Sequence, residues 1–105
     1  AAEAVDDDGI REEIRAAPDR YGVPICPHTA TAARALARLR ERGDHRDYAI
    51  VATAHPAKFE AIVEPLIGQP LAVPPGLAAM LARPSANEPI AVDYGALRER
   101  LLARD

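Results

Sequence analysis

Ten prolines in 105 residues limit the regular structure of this chain more than any other feature does. Proline lacks a backbone N–H, so it ends or distorts a helix and confines a strand to a short or edge position. Five of the ten fall close together, and they predict an irregular, proline-rich tail over residues 69–92. The segments before and after this tail must supply the core.

Three helices are predicted before the tail. Asp6–Asp8 place carboxylates at the positive end of a first helix, which should end before Pro18. An alanine-rich second helix runs from Thr29 to Arg42, and Pro56 opens the third. The third helix has Pro65 inside it, which should distort its last turn or end it near Glu64. Its apolar stripe consists of Phe59, Ile62, Val63, Leu66 and Ile67.

Two short apolar segments are predicted to be strands. Tyr48–Ala52 is an unbroken apolar run, as expected for a strand covered on both faces, and Tyr21–Pro27 is a shorter run with two prolines. Strands that alternate with helices favour an α/β fold with a small, helix-flanked, mainly parallel sheet. Further helices are predicted at Leu77–Leu81 and after Asp93, which should cap the last one. Residues 1–105 are expected to form a single domain.

Composition excludes several classes of protein. Thirteen basic residues against 16 acidic ones argue against a nucleic-acid-binding module. A single cysteine, Cys26, excludes an internal disulfide and a multi-cysteine metal site, and the three histidines lack metal-ligand spacing. No apolar run approaches the ~18 residues of a membrane span. We therefore expect a cytoplasmic protein with no metal, no membrane and no nucleic acid among its partners.

Two segments lie where a predicted strand meets a helix: Cys26–Ala30 and Thr53–Phe59. Ligands of open α/β sheets bind beyond the carboxyl ends of the strands, and helix N-termini there attract anions. The simpler interpretation is that Thr53 and Thr29 cap helices and that Phe59 and Tyr48 belong to the core. His28 and His55 could each orient a ligand or cap a helix.

The decapeptide Ile50–Phe59, IVATAHPAKF, resembles the signature near the C-terminus of the threonine synthase family. Ile25–Ala30 resembles the upstream Pro-His segment of that family, and the resemblance runs from about Asp8 to the last residue. Cys26 departs from the pattern, because family members often have an acidic residue there. The tail and the final helix match the family at Gly68, Leu71, Pro74, Leu77 and Leu97–Leu102.

The resemblance implies an enzyme with pyridoxal 5'-phosphate as cofactor and a tryptophan-synthase-β type of fold. Its reaction converts O-phospho-L-homoserine and water to L-threonine and phosphate. The lysine that binds the cofactor covalently and the glycine-rich phosphate loop belong to the family's earlier region, so Lys58 is not that lysine. We therefore expect the C-terminal portion of such an enzyme, completed by an upstream remainder and inactive alone. The resemblance suggests Thr53, His55, His28 and Thr29 as cofactor-binding residues.

Thr53 is the strongest of these candidates. In enzymes of this fold a Ser or Thr at this position approaches the pyridine nitrogen of the cofactor, where a neutral hydroxyl can donate a hydrogen bond.

The alternatives are a stand-alone, non-catalytic module that binds a ligand or partner, and another enzyme of the same fold. The chain starts at Ala1 without an initiator Met, as a piece of a longer protein would, although removal of a Met before Ala gives the same start. A piece of this kind would expose strand edges, so self-association is a further expectation.

Overall fold

The structure is a computed structural model that describes residues 2–103. It divides into two compact units, the first ending at Val73 and the second beginning at Pro74. The prediction of one domain over residues 1–105 stays a prediction. The helical elements are α1 (Asp7–Tyr21), α2 (Pro27–Glu41), a 3₁₀ helix (Pro56–Phe59), α3 (Glu60–Ile67), α4 (Pro75–Leu81) and α5 (Tyr94–Leu102).

The predicted α/β fold class is wrong, because residues 2–103 contain helices and no strand. Tyr48–Ala52 has no regular structure, and its residues are exposed. The second predicted strand, Tyr21–Pro27, is the end of α1 and a short connection to α2. A strand needs a hydrogen-bonded neighbour, and Pro24 and Pro27 deprive this connection of two ladder donors. The described part of the chain therefore offers Tyr48–Ala52 no partner.

The start of α1 is confirmed and its predicted end is wrong. The Asp6 carboxylate accepts a hydrogen bond of 2.9 Å from the Gly9 N–H and caps the helix. The helix then continues through Pro18 to Tyr21 and ends at Gly22, whose φ of 73° is left-handed. Packing and side-chain contacts therefore stabilise the last turn by more than it loses through the backbone hydrogen bond that Pro18 cannot donate.

The other helices before the tail match their predictions more closely. α2 begins two residues earlier than predicted because Pro27 is well suited to the first helical position. Pro56 opens a 3₁₀ helix that leads into α3, and α3 runs past Pro65 to Ile67. The left-handed Gly68, with φ of 69°, ends it.

The core of the first unit lies where α1 packs against α2 and α3. Val63 from the predicted apolar stripe is fully buried, and Phe59, Leu66 and Ile67 pack against the core, whereas Ile62 is half exposed. Small alanines at the contact let the helix axes approach closely. The buried members of this cluster are Ile14, Ala17, Ile25, Ala30, Ala33 and Val63.

The second unit has two helices and little buried surface. The helix predicted at Leu77–Leu81 is confirmed as α4, and Asp93 caps α5 by accepting a hydrogen bond of 2.9 Å from the Ala96 N–H. Neither helix has a buried residue. Across residues 2–103, every helix is too short or too polar to traverse a bilayer.

Candidate functional site

Thr53 lies in the irregular segment that leads into the 3₁₀ helix. Its side chain is exposed, and the hydroxyl makes no hydrogen bond within residues 2–103. The cap of the following helix is instead His55. The simpler interpretation of Thr53 as a capping residue is therefore not what the structure shows, and its hydroxyl is available to another group.

His55 caps the 3₁₀ helix through one ring nitrogen. Its Nδ1 accepts a hydrogen bond of 3.2 Å from the Ala57 N–H, the first donor available because Pro56 has none. An accepting Nδ1 places the proton of the neutral ring on Nε2. The exposed side of the ring therefore presents an N–H donor.

His28 connects the two candidate segments. It is exposed at the N-terminus of α2, and its ring lies 5.2 Å from the ring of Phe59, centroid to centroid, at 57°. This tilted stacking brings the start of α2 beside the 3₁₀ helix that His55 caps. The two segments therefore lie side by side without a sheet.

Thr29 is buried, in contrast to the other three candidates. Its Oγ1 lies 3.3 Å from the Sγ of Cys26, which is itself buried at the N-cap position of α2 without capping a backbone N–H. The hydroxyl is thus engaged in a local contact rather than open to solvent. Cys26 behaves as the small buried thiol expected from its apolar surroundings.

An apolar groove of about 240 Å³ brings Thr29 close to the segment that precedes Thr53. Thr29 and Ala33 line it from α2, and Ile50 and Ala52 line it from the irregular segment. Within residues 2–103 no hydrogen bond joins the four candidate side chains. The backbone segments of the four candidates therefore lie close together, but their side chains form no hydrogen bonds with one another.

Tyr48 is not the core residue that the sequence suggested. It is 41% exposed, and its hydroxyl donates a hydrogen bond of 2.6 Å to Asp44, which also pairs with Arg46 at 2.6 Å. The Arg46 guanidinium, followed by the Tyr48 hydroxyl, holds the pKa of Asp44 well below its usual value. This exposed cluster holds the loop after α2 and has no feature of a catalytic site.

A cluster around one buried carboxylate, which the sequence analysis did not find, lies at the end of α1. Glu13 is 1% exposed and accepts hydrogen bonds of 2.7 Å from both the Arg20 guanidinium and the Tyr21 hydroxyl. Burial of Tyr21, reinforced by its bond to Glu13, raises the pKa of the phenol. Separations of seven and eight residues, two helical turns, are the only signal in the sequence.

The candidate site contains no ion pair of Lys58 and no cluster of metal ligands within residues 2–103. Lys58 is exposed and forms no ion pair in the described part of the chain. No three His, Cys, Asp or Glu side chains come together there as a metal site would require. The hydrogen-bonding groups beside the apolar groove include an exposed hydroxyl, at Thr53, and an exposed imidazole, at His55.

Comparison with known proteins relates the chain to one enzyme family. A family model described as "Threonine synthase, C-terminal" matches residues 29–100. The threonine synthases of Escherichia coli (strain K12) and Serratia marcescens are 34% and 33% identical to the chain over 99 residues. These alignments cover 94% of the chain but only 22% of each relative.

A solved structure agrees with the sequence relatives. The crystal structure of threonine synthase from Escherichia coli superposes with a TM-score of 0.75 at 34% identity. The superposition covers 95% of this chain and 23% of that one. The chain therefore spans less than a quarter of the length of the proteins that it matches.

Proposed function

The chain belongs to the family of threonine synthase C-terminal regions, and we propose that it is the C-terminal part of an enzyme that makes threonine. The proposed reaction converts O-phospho-L-homoserine and water to L-threonine and phosphate. The observation that carries the proposal is the match of residues 29–100 to the family model. The similarity of 95% of the chain to one solved threonine synthase supports it.

Pyridoxal 5'-phosphate is the cofactor that this family implies, and the exposed residues of the chain fit one part of it. A ring nitrogen needs a neutral hydrogen-bonding partner, and Thr53 has an exposed hydroxyl with no bond elsewhere in residues 2–103. The phosphate group needs a cradle of backbone N–H groups. Gly22 and Gly68, two of the left-handed glycines, end helices instead of forming such a cradle. When bound, the cofactor supplies an electron sink for carbanions.

Thr53 would hold the pyridine nitrogen in this proposal. The Thr53 hydroxyl would donate a hydrogen bond there without transferring its proton, and would so leave that nitrogen largely unprotonated. A carboxylate at the same place would keep a proton on the ring and strengthen the sink. The neutral partner thus influences whether elimination and replacement or transamination is favoured.

The two histidines and Thr29 would form the surroundings of the cofactor. His55 presents its Nε2–H to an acceptor because Nδ1 is held by the Ala57 N–H. His28 keeps its place against Phe59, so its ring can contact a ligand at the start of α2. Thr29 would act through the wall of the groove, because its hydroxyl already contacts Cys26.

The remaining parts of the enzyme would come from an upstream region of a longer protein. The relatives are more than four times as long as the matched segment, since it covers 22% of them. The lysine that binds the cofactor and the phosphate loop would lie in that region. The 105-residue chain alone is therefore expected to release no phosphate from O-phospho-L-homoserine.

Adding pyridoxal 5'-phosphate to the isolated chain tests this expectation. We expect no saturable visible absorbance band from the mixture. A saturable band that disappears in Lys58→Ala would show that this lysine binds the cofactor, and it would overturn the division of roles.

The role of Thr53 is tested in the full-length protein. Thr53→Val is expected to lower kcat roughly tenfold or more and to shift the absorbance of the bound cofactor, whereas Thr53→Ser should restore both. Thr31→Val is the matched control, because the Thr31 hydroxyl bonds to the Pro27 carbonyl within α2 at 3.0 Å. An unchanged cofactor spectrum in Thr53→Val would exclude the contact with the ring nitrogen.

A further inference from the structure

The first unit has an exposed apolar surface beside the candidate site, which we call the 21/23/50 surface after Tyr21, Val23 and Ile50. These side chains are 44%, 54% and 36% exposed, respectively. All three line the groove of about 240 Å³, together with the buried Ile25 and Ala33. Three large apolar side chains around one groove form a continuous patch, which is the feature of an interaction surface rather than of scattered exposure.

The patch extends along α2 into a second groove. This groove, of about 390 Å³, shares Tyr21, Ala33 and Ile50 with the first and continues past Leu36. The two grooves thus form one depression between the end of α1, the face of α2 and the segment that contains Ile50. Its extent suits a protein segment better than a small ligand, for which converging polar groups would be expected.

Three of the four charged side chains that line the depression have partners within residues 2–103, and the fourth is Glu41. Arg20 pairs with Glu13 at 2.7 Å, and Arg34 pairs with Glu12 at 3.4 Å. Arg40 donates a hydrogen bond of 2.8 Å to the carbonyl oxygen of Asp44. An occupant therefore needs no set of acidic residues to match them, and apolar side chains would supply most of its contact.

The backbone of the segment that contains Ile50 also lacks partners. Within residues 2–103, no hydrogen bond involves an N–H or C=O group of residues 49–54. Solvent satisfies these groups while they are exposed, but a partner that covers the side chains must also satisfy the backbone. The occupant is thus a polypeptide, which carries apolar side chains and hydrogen-bonding groups together.

We propose that the 21/23/50 surface is where this chain binds the upstream region of its own full-length protein. This inference rests on the proposed function, because it takes the relatives' additional length as the source of the occupant. The matched segment covers only 22% of those relatives, so a large polypeptide accompanies it in each of them. Thr29 lines the same groove as this surface, and Thr53 directly follows Ala52, which also lines it. The upstream region would therefore meet this chain beside the proposed cofactor contact.

Cysteine labelling compares the surface in the isolated chain and in the full-length protein. Val23→Cys and Ile50→Cys are alkylated, and the rate at each position is followed by peptide-resolved mass spectrometry. We expect both positions to react at least about tenfold more slowly in the full-length protein, because the centre of an interface excludes water. Arg15→Cys, on the exposed side of α1, is the control and should react at the same rate in both.

A second variant keeps the test independent of labelling chemistry. Val23→Asp should change the thermal unfolding of the isolated chain little, since Val23 is 54% exposed there, and it should lower the Tm of the full-length protein. Equal labelling rates in both proteins would overturn the proposal. Labelling of the isolated chain that slows as its concentration rises would also overturn it, because the occupant would then be a second copy.

The phosphate released by the unsubstituted full-length protein is measured separately. Phosphate release together with equal labelling rates in the isolated chain and the full-length protein would reject the proposed surface and support the proposed function. Slowed labelling without activity would reject the function and keep the surface.

Discussion

Glu13 shows how a single buried charge can be stabilised in a small helical unit. Its carboxylate is withdrawn from water, which is costly unless donors replace the lost hydration. Arg20 and Tyr21 supply two such donors at 2.7 Å, both on the same carboxylate oxygen. Because these donors lie two turns further along α1, the contact also holds the turn that follows Pro18. The helix passes its proline with the help of this cluster.

Removing the carboxylate should therefore destabilise the first unit. Glu13→Ala is expected to lower the free energy of unfolding by about 2 kcal/mol, since two charge-assisted hydrogen bonds are lost and Arg20 can turn to solvent. Urea unfolding followed by circular dichroism measures the change. The neighbouring Glu12→Ala is the control, because the exposed pair of Glu12 with Arg34 should contribute less than ~1 kcal/mol. Equal effects of the two substitutions would contradict this account.

The same cluster makes a prediction about pH. Burial and the bond to Glu13 raise the pKa of Tyr21, so folding favours the neutral phenol. The stability that this preference contributes is present below the usual tyrosine pKa and is lost as the pH rises through the raised value. Absorbance titration of a Tyr48→Phe, Tyr94→Phe background isolates Tyr21. In Glu13→Gln its pKa should fall toward the usual value, and an unchanged pKa would exclude the carboxylate as a cause.

At the scale of elements, signals within one turn predicted the helix starts, whereas contacts from further along the chain decided whether α1 passes its proline and whether a strand forms. Asp6 and Asp93 cap helices as predicted, because a cap depends on residues within one turn. Pro18 misled the prediction, because the contacts that carry α1 past it come from Glu13. The strand predicted at Tyr48–Ala52 is absent from the described fold, because an apolar run does not specify its hydrogen-bonded neighbour.

Two glycines in open space should respond oppositely to the same substitution. Gly22 has φ of 73° and no neighbouring atom within 4 Å of the place that a Cβ would take, so Gly22→Ala costs only backbone strain, about 1 kcal/mol. Gly76 is equally open but lies inside α4, so Gly76→Ala should raise helicity. Thermal unfolding measures the first change and far-ultraviolet circular dichroism the second. A stabilising Gly22→Ala would contradict the left-handed end of α1.

At the scale of the whole molecule, the candidate site was partly predictable. The sequence pattern located both segments, and the structure brings them together through His28 and Phe59. The pattern could not show that Thr29 is turned toward Cys26 while Thr53 is exposed, because these orientations depend on the packing of α2. The rest of the site could not be predicted from this chain because the chain covers only 22% of its relatives and so lacks most of the proposed enzyme's contacts.

The two units should differ sharply in local stability. Ile14, Ala17 and Ala30 are completely buried in the first unit, whereas α4 and α5 have no buried residue. Local opening of a helix costs little when few apolar contacts break, so its amides exchange quickly. Hydrogen exchange of the isolated chain should therefore show amides of α4 and α5 exchanging at least ~100-fold faster than those of α1 around Ile14, after correction for intrinsic rates.

The control for this comparison is a substitution confined to the first core. Val63→Ala removes a fully buried side chain and should speed exchange in α1 and α3 while leaving α4 and α5 unchanged, because their opening does not depend on that core. Equal protection of both units in the unsubstituted chain, or equal acceleration of both by Val63→Ala, would mean that they unfold as one cooperative body. The expected result makes the segment after Val73 the first part of this chain to unfold.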